Sequence, residues 1–191
     1  MEKVFKNNLV TFNDNAERWN GYLSKFPYNK SSGLNSDEFE ILRTKAISTL
    51  INNWRSSAGE LDHDGLFPSY MYAGFHGFWA WDSWKHSAAL AHFEPELAKH
   101  QMRAMFDFQD SRGMIPDCVF RDTLIENHNW RDTKPPLAAW AVNEIFEQTG
   151  DTAFIAELLP KLERYHQWWY DDRDNDNNGL CEYGSTDGTR I

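Results

Sequence analysis

Gly74-Phe75-His76-Gly77-Phe78-Trp79-Ala80-Trp81-Asp82-Ser83-Trp84-Lys85 sets five aromatic rings and a carboxylate between residues 75 and 84, with glycines at 74 and 77. Indole faces stack on the apolar C–H surface of a pyranose ring, and an adjacent carboxylate accepts hydrogen bonds from vicinal hydroxyls. The stretch therefore reads as a sugar platform, with a tryptophan cluster tying a loop to a core as the alternative. Asp82 suits a helix cap, so a helix is predicted from Asp82 to Phe93.

Outward from that point the same pattern repeats. Pro95 suits the first turn of a helix carrying Leu97, Met102, Met105 and Phe106. Before the aromatic loop, Phe39, Leu42, Ala46, Leu50 and Trp54 recur at three or four residues after Ser36, read as an N-cap, until Ser56-Ser57-Ala58-Gly59 ends the run. Pro135-Pro136 opens a fourth helix with Leu137, Trp140, Ala141, Ile145 and Phe146, which Thr149-Gly150-Asp151 closes. A fifth runs from Thr152 to Tyr170. Strand-like alternation is scarce. Long helices joined by loops rich in Trp, Asp and Gly predict an all-α toroid, with loops 60–81, 110–134 and 171–191 gathered at one end. These helices supply about half of one, given helices of about 11–20 residues. Residues 1–35 read as a poorly periodic lead-in segment and 36–191 as the toroid half.

The chain has 191 residues and a net charge of −10. No basic stripe is present, which argues against a nucleic-acid partner. No apolar window of membrane-spanning length occurs and the N-terminus lacks a signal-peptide core, so a soluble protein is expected, its compartment left between cytoplasm and periplasm. Cys118 and Cys181 have neither metal nor redox spacing, and sequence alone does not decide whether they pair.

The Trp79-to-Lys85 run, the run Asn129-Trp130-Arg131-Asp132-Thr133-Lys134-Pro135-Pro136 and the run from Arg173 to Gly184 together resemble glycoside hydrolase family 63, which holds processing α-glucosidase I and its bacterial relatives. The resemblance implies an (α/α)6 barrel, of which this chain is the N-terminal half, following a β-sandwich. It also implies inverting hydrolysis of an α-glucosidic bond in an oligosaccharide or small glucoside. By carry-over, Trp79 and Trp81 are pocket walls, Asp82 contacts sugar hydroxyls, and Lys134 adds a polar contact. Lys134 also sits where a helix dipole disfavours a cation without a partner, for which Asp132 is the nearby choice. Phe75 and His76 have weaker claims, and Asp117 reads as structural. The family's general acid and base belong to motifs that do not occur before Ile191, so no catalytic residue is matched and the rest of the barrel is an expected partner.

Asp174, Asp176, Asn178, the carbonyl of Leu180 and Glu182 fall at alternate positions around Gly179, the spacing of an EF-hand loop that wraps Ca²⁺. Ser185 stands where that loop's closing glutamate belongs. The resemblance implies a distant glutamate in its place, and a solvated acidic turn is the alternative. Two functional rivals remain: a sugar epimerase or isomerase, marked by a histidine of perturbed pKa at the reaction centre, and a non-catalytic sugar-binding or docking fragment, marked by exposed apolar faces on the last helices.

Overall fold

A computed structural model describes residues 2–26, 28 and 33–185. Packing divides the chain into two units, residues 1–51 and 52–191. The first holds α1 (Glu2–Ser24) and most of α2 (Ser36–Asn52). The lead-in segment is thus helical over most of its length. Phe5, Leu9, Phe12, Ala16, Trp19 and Leu23 do recur at three or four residues, but five asparagines and Gly21 dilute the stripe. Helix α2 is capped by Asn35 and not by Ser36. The Asn35 Oδ1 accepts from the backbone N–H of Asp37 and Glu38 at 3.0 and 2.9 Å, and the Glu38 carboxylate accepts from Asn35 N–H at 3.1 Å, a reciprocal capping box. Arg43 of α2 donates to the carbonyls of Leu23 and Phe26, at and just beyond the end of α1. By packing α2 belongs with α1.

The second unit runs β1 (Trp54–Arg55), β2 (Gly65–Leu66), β3 (Phe78–Trp79), α3 (Ala80–Ala91), α4 (Pro95–Phe106), β4 (Cys118–Val119), β5 (Asp132–Thr133), α5 (Ala138–Thr149), α6 (Thr152–Arg173) and β6 (Gly184–Ser185). Its helices are those the periodicity predicts, with the starts of α3 and α5 shifted. Helix α3 begins two residues before Asp82, because Trp79 enters it with an extended backbone and no side-chain cap. Helix α5 begins at Ala138, because Pro136 biases Pro135 away from helical dihedrals and Leu137 N–H closes a turn on the Pro135 carbonyl. Gly150, left-handed at φ 65°, ends α5, and Asp151 caps α6 by accepting from Phe154 N–H at 3.0 Å. The strands are all two-residue ladders: β1 with β2, β3 with β4, and β5 with β6, each antiparallel.

The core of this unit lies between the helices. Trp84 and Leu90 of α3, Met102, Met105 and Phe106 of α4, Ile145 of α5 and Phe154 and Trp168 of α6 have essentially no exposed surface. Trp84 packs on Phe106 at 5.9 Å between ring centres and on Tyr165 at 6.4 Å. Gln101 of α4 is buried with its amide used twice: it donates to the Ser83 hydroxyl at 2.8 Å and accepts from Leu66 N–H. This one side chain fixes α3, α4 and β2 together. Trp84→Ala should destabilise by about 3–5 kcal/mol through lost burial and a residual cavity, lowering the melting temperature by roughly 10 °C. Calorimetry of the variant beside the parent measures this.

Candidate functional site

The loops meet at one end through a chain of backbone bonds. Ala80 N–H, opening α3, donates to the Asp117 carbonyl at 2.7 Å; Asp117 N–H donates to Asn129 at 2.8 Å; and Asn129 N–H returns to Cys118 at 2.9 Å. The register Phe78↔Val119 and Trp79↔Cys118 joins the first motif to residues 117–119. The pairs Asp132↔Ser185 and Thr133↔Gly184 join the second motif to the third. The three runs that carry the resemblance are thereby stitched into one surface. Gly77 is needed for the closest approach: a Cβ there would lie 2.5 Å from the Cys118 sulfur and 2.7 Å from the Val119 carbonyl oxygen.

Four charged side chains gather at this junction. Asp82 is the third residue of α3, not its cap, and half-buried. Burial raises its pKa above the usual carboxylate range, while the charges of Lys85 and Lys134 and its own backbone N–H work the other way. Asp117 is only 4% exposed. Burial raises its pKa too, Lys134 opposes the shift, and the like charges of Asp132 and Asp82 add to it. Lys134 Nζ lies 3.4 Å from Asp117 Oδ2, so its partner is Asp117 and not the Asp132 nearer in sequence. It precedes α5 by four residues, which removes much of the dipole argument made from its place before the prolines. Asn129 braces the group, its amide donating to Asp132 at 3.0 Å and to Asp117 at 3.4 Å. The Oδ1 atoms of Asp117 and Asp132 are buried with no donor among the described residues.

The aromatic rings of the opening stretch divide by role. Phe78 and Trp84 are core. Trp79 and Trp81 each keep part of their surface in solvent. Trp79 packs edge-on against Phe75 at 5.3 Å and Phe120 at 5.8 Å, while Trp81 lies under the Lys85 ammonium, 4.2 Å from the ring centre. His76 sits beside Phe120 at 4.9 Å and faces Glu126 at 3.1 Å, on the rim. His86, one turn beyond Asp82, has its pKa pushed down to about 4, by burial first and then by Lys85. It stays a neutral imidazole whose Nδ1 is buried with no partner among the described residues, so a histidine of perturbed pKa, the mark of the epimerase reading, does stand one turn from Asp82. The residue that sequence reading undervalued is Asp117, whose place beside Lys134 depends on strand pairing and leaves no mark in spacing. Cys118 and Cys181 are both free thiols.

The acidic loop after α6 also converges. Carboxylate oxygens of Asp174, Asp176 and Glu182 lie within 4.8 Å of one another. Asp174 accepts from the N–H groups of Asn178 and Gly179 at 2.9 and 3.0 Å, the Asn178 Oδ1 accepts from Leu180 N–H at 2.8 Å, and Asn177 and Gly179 are left-handed at φ 56° and 84°. The loop is tied down by Arg173, 6% exposed, whose guanidinium donates to the carbonyls of Glu182, Ser185 and Gly184 at 3.0, 3.4 and 3.3 Å. Three carboxylates with hard oxygen donors fit Ca²⁺ or Mg²⁺ chemistry.

Residues 75–190 match the family described as mannosylglycerate hydrolase MGH1-like glycoside hydrolase domain. The mannosylglycerate hydrolase MGH1 of Selaginella moellendorffii is 32% identical over 120 residues, covering 53% of this chain and 25% of that protein. A trehalase of Dictyostelium discoideum is 31% identical over 121 residues, covering 58% of this chain and 19% of the trehalase. Among solved structures, the GH63 mannosylglycerate hydrolase of Thermus thermophilus in complex with Tris superposes with a TM-score of 0.60 at 26% identity, over 73% of this chain and 35% of that one. Its complex with glucose gives a TM-score of 0.56 at 27% identity. The chain thus spans about a third or less of the length of these relatives. Gly77→Ala should cost about 1–3 kcal/mol, because Val119 backbone has to move to admit the methyl. Urea unfolding, with the midpoint shifted and the slope unchanged, checks this.

Proposed function

The chain belongs to the MGH1-like glycoside hydrolases of family 63, whose fold is the (α/α)6 barrel, and we propose from that premise that it supplies part of the glycone pocket of an inverting hydrolase acting on a short α-linked glycoside. The observation that carries this reading is the cluster of Asp82, Asp117 and Lys134 where the strand bearing Trp79 pairs with residues 118 and 119, which are bonded in turn to Asn129 of the second motif. Sugar hydroxyls donate to Asp82, the Lys134 ammonium donates to a hydroxyl or ring oxygen, and Trp79 and Trp81 cover the apolar ring faces. Inversion needs two carboxyl groups about 6.5–9.5 Å apart on opposite sides of the scissile bond. The resemblance assigns that pair to motifs that do not occur before Ile191. The role proposed for this chain is to bind and orient, with charge-assisted bonds from Asp82 that strengthen as the ring gains oxocarbenium character.

The names of the plant and Thermus relatives support mannosylglycerate as the substrate, while the trehalase relative and the glucose complex support an α-glucoside. Comparing kcat/KM on the two in the complete protein decides between them. The flank of α5 and α6 supports a further packing partner, the remaining helices of a barrel. A cleft of about 180 Å³ opens there beside Trp169, Tyr170 and Tyr183, and Trp140 and Leu159 are roughly half exposed. No helix among the described residues is long and apolar enough to cross a membrane.

We also propose that Asp174, Asp176, Asn178, the Leu180 carbonyl and Glu182 hold a structural Ca²⁺, which when bound would tie the loop and take no part in the reaction. Chelation should lower the melting temperature and added Ca²⁺ restore it, since a ligand held only by the native state stabilises by mass action. Mg²⁺ should substitute poorly, and Asp176→Ala should abolish the response. Identical melting curves with chelator and with excess calcium would refute the site.

Asp82→Asn should leave the melting temperature close to the parent's and lower kcat/KM by a factor of about 100 or more. Because burial raises the Asp82 pKa, its ionised form is lost as pH falls through a value above the ordinary carboxylate range. The acidic limb of the parent's pH–rate profile should therefore sit high, and in the asparagine variant it should move to lower pH, where only the reaction's general base still titrates.

A further inference from the structure

We propose that Asp117 is a positioning residue for the glycone site, holding Lys134 in place beside Asp82. This inference rests on the functional reading above. The backbone of Asp117 already bonds on both sides, to Ala80 and to Asn129, so the fold has no evident need of the carboxylate. Taking a carboxylate out of water is costly, and a pair kept for stability alone would show short, fully satisfied bonds. Here the contacts of Oδ2 to Lys134 and Asn129 are both long, at 3.4 Å, and Oδ1 is buried with no donor among the described residues. As a structural ion pair the carboxylate therefore recovers little of its desolvation cost.

Its neighbours supply the missing reason. The charge of Lys134 is felt by both Asp82 and Asp117, and Asp132 adds a like charge beside Asp117, so the ammonium has more than one anion within reach. Asn129 occupies Asp132 with the shorter of its two bonds, leaving Asp117 as the carboxylate in contact with the amine. Asp117 sits on the segment that carries the backbone bond to the first turn of α3, the turn that bears Asp82. Anchoring the amine to Asp117 thus places it relative to Asp82, where sugar hydroxyls are bound in the proposed function.

The test is a cycle of Asp117→Asn, Lys134→Gln and the double variant in the complete protein, with kcat, KM and melting temperature read for each. A positioning role predicts that Asp117→Asn lowers kcat/KM roughly 10- to 100-fold with the melting temperature held or raised. It also predicts that this loss disappears when Lys134 is already Gln. An equal fold-loss with and without Lys134, or an active Asp117→Asn variant that melts much lower, overturns the proposal. Should Lys134→Gln fail to fold, acetylation of Lys134 in the Asp117→Asn variant, quantified by peptide mass spectrometry against Lys85, takes its place. A several-fold rise in Lys134 labelling supports anchoring, and unchanged labelling overturns it. If the parent hydrolyses neither mannosylglycerate nor an α-glucoside, the functional reading fails, while the labelling still decides whether Asp117 holds the amine.

Discussion

The hydrogen bond from Ala80 N–H to the Asp117 carbonyl, 2.7 Å long, is the constraint on which the site's geometry hangs. A helix N-terminus has free N–H groups, and satisfying the first of them from a distant loop fixes both where the helix begins and where that loop lies. Asp117 then donates its own N–H to Asn129, so one residue's peptide groups join α3 to the second motif. The β3–β4 ladder repeats the connection one residue further along. Everything charged at the junction sits within a few residues of this seam.

The energetic consequence is a small region where burial and charge pull against each other. Asp82 and Asp117 are both pushed toward protonation by loss of water, and Lys134 favours the ionised form of each. Under the proposed function such a balance suits the binding of sugar hydroxyls, which need acceptors already in place. The core beneath it is apolar and close-packed, Trp84 lying within one turn of Asp82. Rigidity below and unsatisfied polarity above are opposite demands met by adjacent residues of one helix.

Much of this was legible in the sequence, for physical reasons. Helices α3 to α6 bury one face, and burying one face leaves a 3.6-residue period that single residues such as Trp84 and Ile145 report; α2 instead buries Ile47 and Ile51 and leaves Leu42 and Ala46 of its expected stripe exposed. The stretch from Trp79 to Trp84 also announced the aromatic cluster found there. Helix α1 was missed because its apolar positions are separated by asparagines, which favour turns when read locally. The start of α3 was misplaced because its first N–H bonds to a loop about forty residues away and not to a local cap. The partnership of Lys134 with Asp117 was invisible for the same reason: register across a ladder carries no sequence period, so the nearer Asp132 looked the better choice.

The two-residue ladders have a further bearing on how such a surface changes over time. A long strand transmits any insertion along its whole register, but a ladder of two pairs ends before the disturbance spreads. Between β4 and the Asn129 bridge the chain makes an excursion through Leu124 and Ile125, both largely exposed and outside the seam. The loop from Tyr70 to Tyr72 does the same ahead of β3. Length and composition can drift in both excursions while Trp79, Asp82, Asp117 and Lys134 keep their relative places. The scaffold is thereby modular at the level of single turns, with variable rims set around a fixed floor.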